Sequence, residues 1–162
     1  MSSIGDAIQE KCLSFGDRVI KLNDYLLAQA VAAHDEYKKS KLQKKGKTSS
    51  FSHQTSDISV ASVPVHLQAV SNLCNQLLRA GTSIGANNAE ATNAVSKTDY
   101  RSKSYIALKE ARESLYWIEL LHRNGYLNDK QYESIYADCE ELVKLLVHRC
   151  KKIDEQLREE KK

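Results

Sequence analysis

The sequence predicts an all-α protein folded as an antiparallel, up-down-up-down four-helix bundle. Three observations carry that expectation. Only one proline and six glycines interrupt 162 residues, and Ala, Leu, Glu, Lys and Gln, all strong helix formers, are abundant. Apolar residues recur every three or four positions in four separate stretches, the spacing of one helix face. Only short turns separate the last three stretches, which makes sequence neighbours antiparallel. One domain over residues 1–162 suits this length and buries a real core.

The first helix is marked by Ile4, Ile8, Cys12, Phe15, Val19, Leu22, Leu26 and Ala30. Its periodicity ends in the mid-thirties. A Lys-rich and then Ser/Thr-rich stretch follows, about residues 38–62, and is expected to be a flexible loop because it offers little to bury. Pro64 suits the first turn of the second helix, where a missing N–H costs nothing. That helix continues through Val70, Leu73, Leu77, Ile84 and Ala91.

Ser96, with Asp99 three residues on, predicts the cap and acidic first turn of the third helix. Ala107, Leu108, Ala111, Leu115, Ile118 and Leu121 form its buried stripe, and Asn124-Gly125 its stop. The fourth helix opens on a capping box, Asn128 with Gln131, with Leu127 and Tyr132 placed as a hydrophobic staple. Its stripe is Ile135, Cys139, Leu142, Leu146, Cys150, Ile153 and Leu157, and residues 158–162 are expected to fray.

Composition excludes several classes. No apolar run approaches the roughly 18 residues of a membrane span, and the acidic early N-terminus lacks the apolar core of a secretory signal. Cys12, Cys74, Cys139 and Cys150 have no metal-ligand spacing and read as buried hydrophobes in a reducing, cytoplasmic setting. The five histidines are dispersed, and Glu140 and Glu141 diverge around a helix. GTSIGANN has no Lys after its second Gly, so it is not a phosphate loop. A non-enzymatic protein without metal or cofactor is expected.

Two features remain. Gly81, Gly85 and Ala89 fall at i, i+4 and i+8 on the second helix. Glycine costs a helix roughly 1 kcal/mol relative to alanine, so another backbone is expected close by, from within the chain or from a second subunit. Periodicity alone leaves both open. Glu90, between two alanines, is expected to be partly buried with Lys109 or Arg112 as its partner. The second feature is charge. The chain has 24 Lys and Arg against 21 Asp and Glu, and residues 34–63 account for the excess with Lys38, Lys39, Lys41, Lys44, Lys45 and Lys47. With Arg101 and Lys103 of the third helix, these are the candidate nucleic-acid-binding residues. No aromatic residues interleave them, so contact would be to phosphates.

The segments QLLRAGTSIGANNAEA (76–91), SKTDYRSKSYIALKEARESLYWIELL (96–121), GYL (125–127) and DCEELVKLL (138–146) resemble a bacterial four-helix-bundle family. That family was first noted as reading frames in intervening sequences of 23S ribosomal RNA genes. It includes the accessory variability determinant of diversity-generating retroelements. The resemblance covers helices two to four almost continuously and SFGDRVIKL (14–22) loosely. It implies a ring-like homopentamer and, in retroelement members, a partner of the reverse transcriptase and its RNA or DNA. The alternative is a self-assembling structural or protein-interaction module with no nucleic-acid role. Gly81, Ser83, Ile84, Asn87, Glu90 and Ala91 match the second-helix motif, and Lys109, Glu110, Arg112, Glu113, Trp117 and Leu121 the third. Asn88 departs from it, standing where the family pattern is usually apolar, and predicts altered, polar packing there. The 38–62 stretch is longer than the family usually carries.

Overall fold

The computed structural model describes residues 4–45 and 62–160, with side chains over 7–42 and 67–160. The described residues form four helices, α1 (Ile4–Lys45), α2 (Ser62–Thr92), α3 (Lys97–Arg123) and α4 (Asp129–Glu159), with short turns joining the last three. They pack as a bundle in which α2 lies against α1 and α3, α3 against α4, and α4 more loosely against α1.

The two local start signals are formed as the sequence predicts. The Ser96 hydroxyl accepts from the Asp99 backbone N–H at 3.1 Å. The Asn128 side chain accepts from Gln131 N–H, and the Gln131 side chain accepts from Asn128 N–H, closing a capping box. Each satisfies amide donors that a helix start leaves without partners. Gly125 takes a positive φ of 75° just after α3, where a Cβ would be strained. Leu127 beside it is buried.

The core is the predicted set of stripes. Ile8, Cys12, Phe15, Val19 and Leu26 of α1 are buried, as are Val70, Leu77, Ile84 and Ala91 of α2. Ala107, Ala111, Ile118 and Leu121 of α3 meet Ile135, Cys139, Leu142, Leu146, Cys150 and Ile153 of α4 in the same core. All four cysteines are buried and free. Leu22, Ala30, Leu73 and Leu115 are only partly covered.

Two expected boundaries move. Helix α1 does not stop in the mid-thirties but runs to Lys45, so Lys38 to Lys45 stand on a helix and not in a loop. Strong helix formers sustain it where apolar periodicity has ended. Past Ala30, no described α1 side chain is buried. At the other end α4 continues to Glu159, and Glu160 pairs with Lys97. Residues 46–61, with Lys47 and most of the expected loop, lie outside the described residues.

Candidate nucleic-acid interface

The predicted basic residues separate into two groups. In the first, Lys38 and Lys39 are exposed and make no ion pair among the described residues. Lys41 sits over the Tyr37 ring, with Nζ 5.5 Å from its centroid. Lys44 and Lys45 continue the same helix. At 1.5 Å per residue the segment from Ala30 to Lys45 spans about 22 Å. Lys38 and Lys41 follow one another at i and i+3, the spacing of one helix face.

The second group is already engaged. Arg101 Nε donates to Asp154 Oδ1 at 2.5 Å, and its guanidinium lies over the Tyr105 ring. Tyr105 donates its hydroxyl to the other Asp154 oxygen at 2.6 Å. Hydrogen bonds from Tyr105 and Arg101 hold the Asp154 carboxyl below its ordinary value, and the same carboxylate pushes Arg101 and Tyr105 upward. Lys103 pairs with Glu90, which raises the lysine. Arg101 and Lys103 are thus cations whose charge is matched within the chain.

That pairing also corrects the expected partner of Glu90. Its carboxylate is exposed and reaches Lys103, not Lys109 or Arg112. Lys109 and Arg112 instead line a groove between α3 and α4 with Tyr105, Val147 and Lys151. The α2–α3 turn brings Glu90 and Lys103 together, and helix spacing alone could not register that.

The small-residue stripe meets α1 of the same chain. A Cβ on Gly81 would stand 3.1 Å from Val19 Cγ2 and 3.4 Å from Phe15 Cε1, and one on Gly85 would stand 3.4 Å from Cys12 Cβ. The missing side chains let two helices approach closely. Ala89 is half-buried one turn further on.

Burial raises all four cysteine thiols above their ordinary value. Cys12 and Cys74 are pushed up to about 11 and Cys139 to about 12, which favours the protonated thiol over the nucleophilic thiolate at neutral pH. Among the described residues no three His, Cys, Asp or Glu side chains are grouped to hold a metal, and no helix is long and apolar enough to cross a membrane.

Asn88, the residue that departs from the family pattern, is fully buried. Its Nδ2 donates to Gln9 Oε1, and its Oδ1 accepts from Arg149 Nη2 at 2.5 Å. One amide therefore joins α1, α2 and α4. The sequence signalled the polar site through Asn88 but gave no sign of Arg149, which lies 61 residues away beside a cysteine on the core stripe.

A family model described as 23S rRNA-intervening sequence protein matches residues 50–148. The matched span takes in α2, α3 and most of α4, and it omits the α1 lysines. Among solved structures, the chain is similar to a Bacteroides thetaiotaomicron protein of unknown function from the S23 ribosomal protein family. The two are 34% identical with a TM-score of 0.64, over 92% of this chain and 99% of that one. No curated protein matches in sequence.

Proposed function

The chain belongs to the 23S rRNA-intervening sequence protein family, and from that premise we propose that it is a non-enzymatic, oligomeric accessory protein that holds RNA through the lysine-bearing end of α1. One observation carries this reading. Lys38 and Lys39 are exposed and without acidic partners among the described residues, whereas Arg101 and Lys103 are matched by Asp154 and Glu90. Unmatched lysines on an exposed helix attract phosphates at any base sequence and release counterions on binding. Affinity is therefore broad and falls steeply with salt.

In this reading the bundle is antiparallel and up-down-up-down. Its support is the order of the interhelical contacts: Cys12 lies by Gly85 and Phe15 by Gly81, while Lys11 pairs with Glu141 and Arg18 with Asp138. Five copies in a ring would present the lysine segments together, turning weak single contacts into a stronger joint one. The partner is a reverse transcriptase with its RNA or DNA in the cytoplasm, a choice that rests on the sequence resemblance alone.

Titration of labelled RNA at low and at physiological salt, with light scattering of the free protein, tests the proposal. The expected result is sequence-independent binding to a pentamer that is largely lost at the higher salt. A pentamer with no RNA affinity at low salt would replace this reading with the self-assembling protein-interaction module. A monomer would remove the assembly part of both.

A further inference from the structure

The buried Asn88–Arg149 contact adjoins a cavity of about 260 Å³ bounded by α1, α3 and α4. Ile8 and Ile153 supply apolar wall, Tyr100 an aromatic ring, and His148, Arg149 and Lys152 basic groups. No carboxylate lines it among the described residues. Arg149 is only 9% exposed and makes no ion pair with a described residue. Its guanidinium carbon lies 5.9 Å from the centre of the Tyr100 ring, and its Nη2 is held by the neutral Asn88 amide.

That arrangement leaves a charge unbalanced. A guanidinium carries five N–H donors in a fixed fork, and Asn88 takes one of them. Gln9 fixes which way the Asn88 amide points, so Arg149 is steadied from behind while it lines an open cavity. Burying a cation against neutral groups alone is costly, and a bound anion removes that cost. Lys152 and His148, both exposed at the cavity, add a second permanent charge and a ring N–H.

We propose that this cavity binds a terminal phosphate group, with Arg149 as its anchor and Lys152 and His148 at its rim. The charge selects the class. Two permanent positive charges match a phosphomonoester, which carries about −1.5 to −2 at neutral pH, better than a carboxylate. The size limits the ligand, because pockets that enclose a whole small molecule begin at roughly 300 Å³. This one takes the phosphate and the edge of the sugar attached to it. Both a free nucleotide and the 5′ end of an RNA strand present that chemistry. The site is separate from the α1 lysines and does not depend on them.

A purely structural Arg149, tying α4 to α2, is distinguished by phosphate dependence. The test is thermal unfolding of the full chain with increasing inorganic phosphate at constant ionic strength. The expected result is a saturating rise in Tm. Lys152→Gln, a surface change that leaves the core intact, should weaken the apparent phosphate affinity several-fold. Arg149→Met should weaken it by about tenfold or more, leaving only the gradual, unsaturable stabilisation that phosphate gives proteins in general. If Arg149→Met does not fold, calorimetric titration of phosphate into the native protein and Lys152→Gln decides alone. No saturable response, or one unchanged in Lys152→Gln, overturns the site.

A nucleoside 5′-monophosphate and one short RNA with and without its 5′-phosphate then identify the source. A gain in affinity from the 5′-phosphate, diminished in Lys152→Gln, assigns the site to a strand end. Binding of the mononucleotide with equal affinity for both RNAs assigns it to a free nucleotide.

Discussion

One helix supplies the sharpest contrast in the molecule. From Ile8 to Leu26, α1 is core: Phe15 and Val19 are 1% and 0% exposed and close on Gly81 of α2. From Val31 onward the same helix buries no described side chain and carries the unmatched lysines. The first part is held by packing, the second by helix propensity alone. Sequence that packing absorbs builds the bundle, and sequence it leaves free is available to a partner.

The largest effect should come from the packed half. Phe15→Ala removes a fully buried ring and should cost about 3–5 kcal/mol by denaturant unfolding; a cost below about 1 kcal/mol would mean that α1 is not part of the core. Glycine substitutions sharpen the same contrast. Gly81→Ala gains helix propensity but drives a methyl to 3.1 Å from stiff, buried Val19, so a net loss of about 1–2 kcal/mol is expected. Gly16→Ala meets nothing within 4 Å and should stabilise by about 0.5–1 kcal/mol. Opposite signs at two helical glycines would establish the close α1–α2 approach without further structure.

A smaller effect concerns pH. The folded state holds the Asp154 carboxyl below its usual 3.8. Its contribution is therefore fully present above that pH and is lost as pH falls through the depressed folded value. The Tm of the native protein should drop more steeply below about pH 4 than that of Asp154→Asn. Parallel curves would show that the Arg101–Asp154–Tyr105 cluster is screened by solvent. Smallest of all, Lys38→Gln and Lys39→Gln should change stability by less than about 0.5 kcal/mol.

What the sequence revealed follows from how local each signal is. The capping box at Asn128 and Gln131 and the Ser96 cap are made by residues three apart, and all formed as expected. The apolar stripes likewise found the core, because burial repeats with helix period. The end of α1 is not legible in the sequence because the stretch AHDEYKK (33–39) carries helix propensity without apolar period: after Ala33, the run from His34 to Lys45 has only Tyr37 and Leu42 as large apolar residues. Pairings across the bundle were missed for a different reason. Glu90 with Lys103 and Asn88 with Arg149 depend on turns and helix rotations that no sequence spacing encodes. Asn88 announced a polar contact, and only the fold could supply its partner.

The most direct test of the central claim is the salt dependence of RNA binding in two variants. Replacing Lys38, Lys39 and Lys41 by Gln removes three phosphate contacts, whereas Arg101→Gln removes a cation already matched by Asp154. The account predicts that the triple variant loses about two units from the slope of log affinity against log salt, while Arg101→Gln keeps the native slope. Native RNA binding by the triple variant, with the slope unchanged, would contradict it.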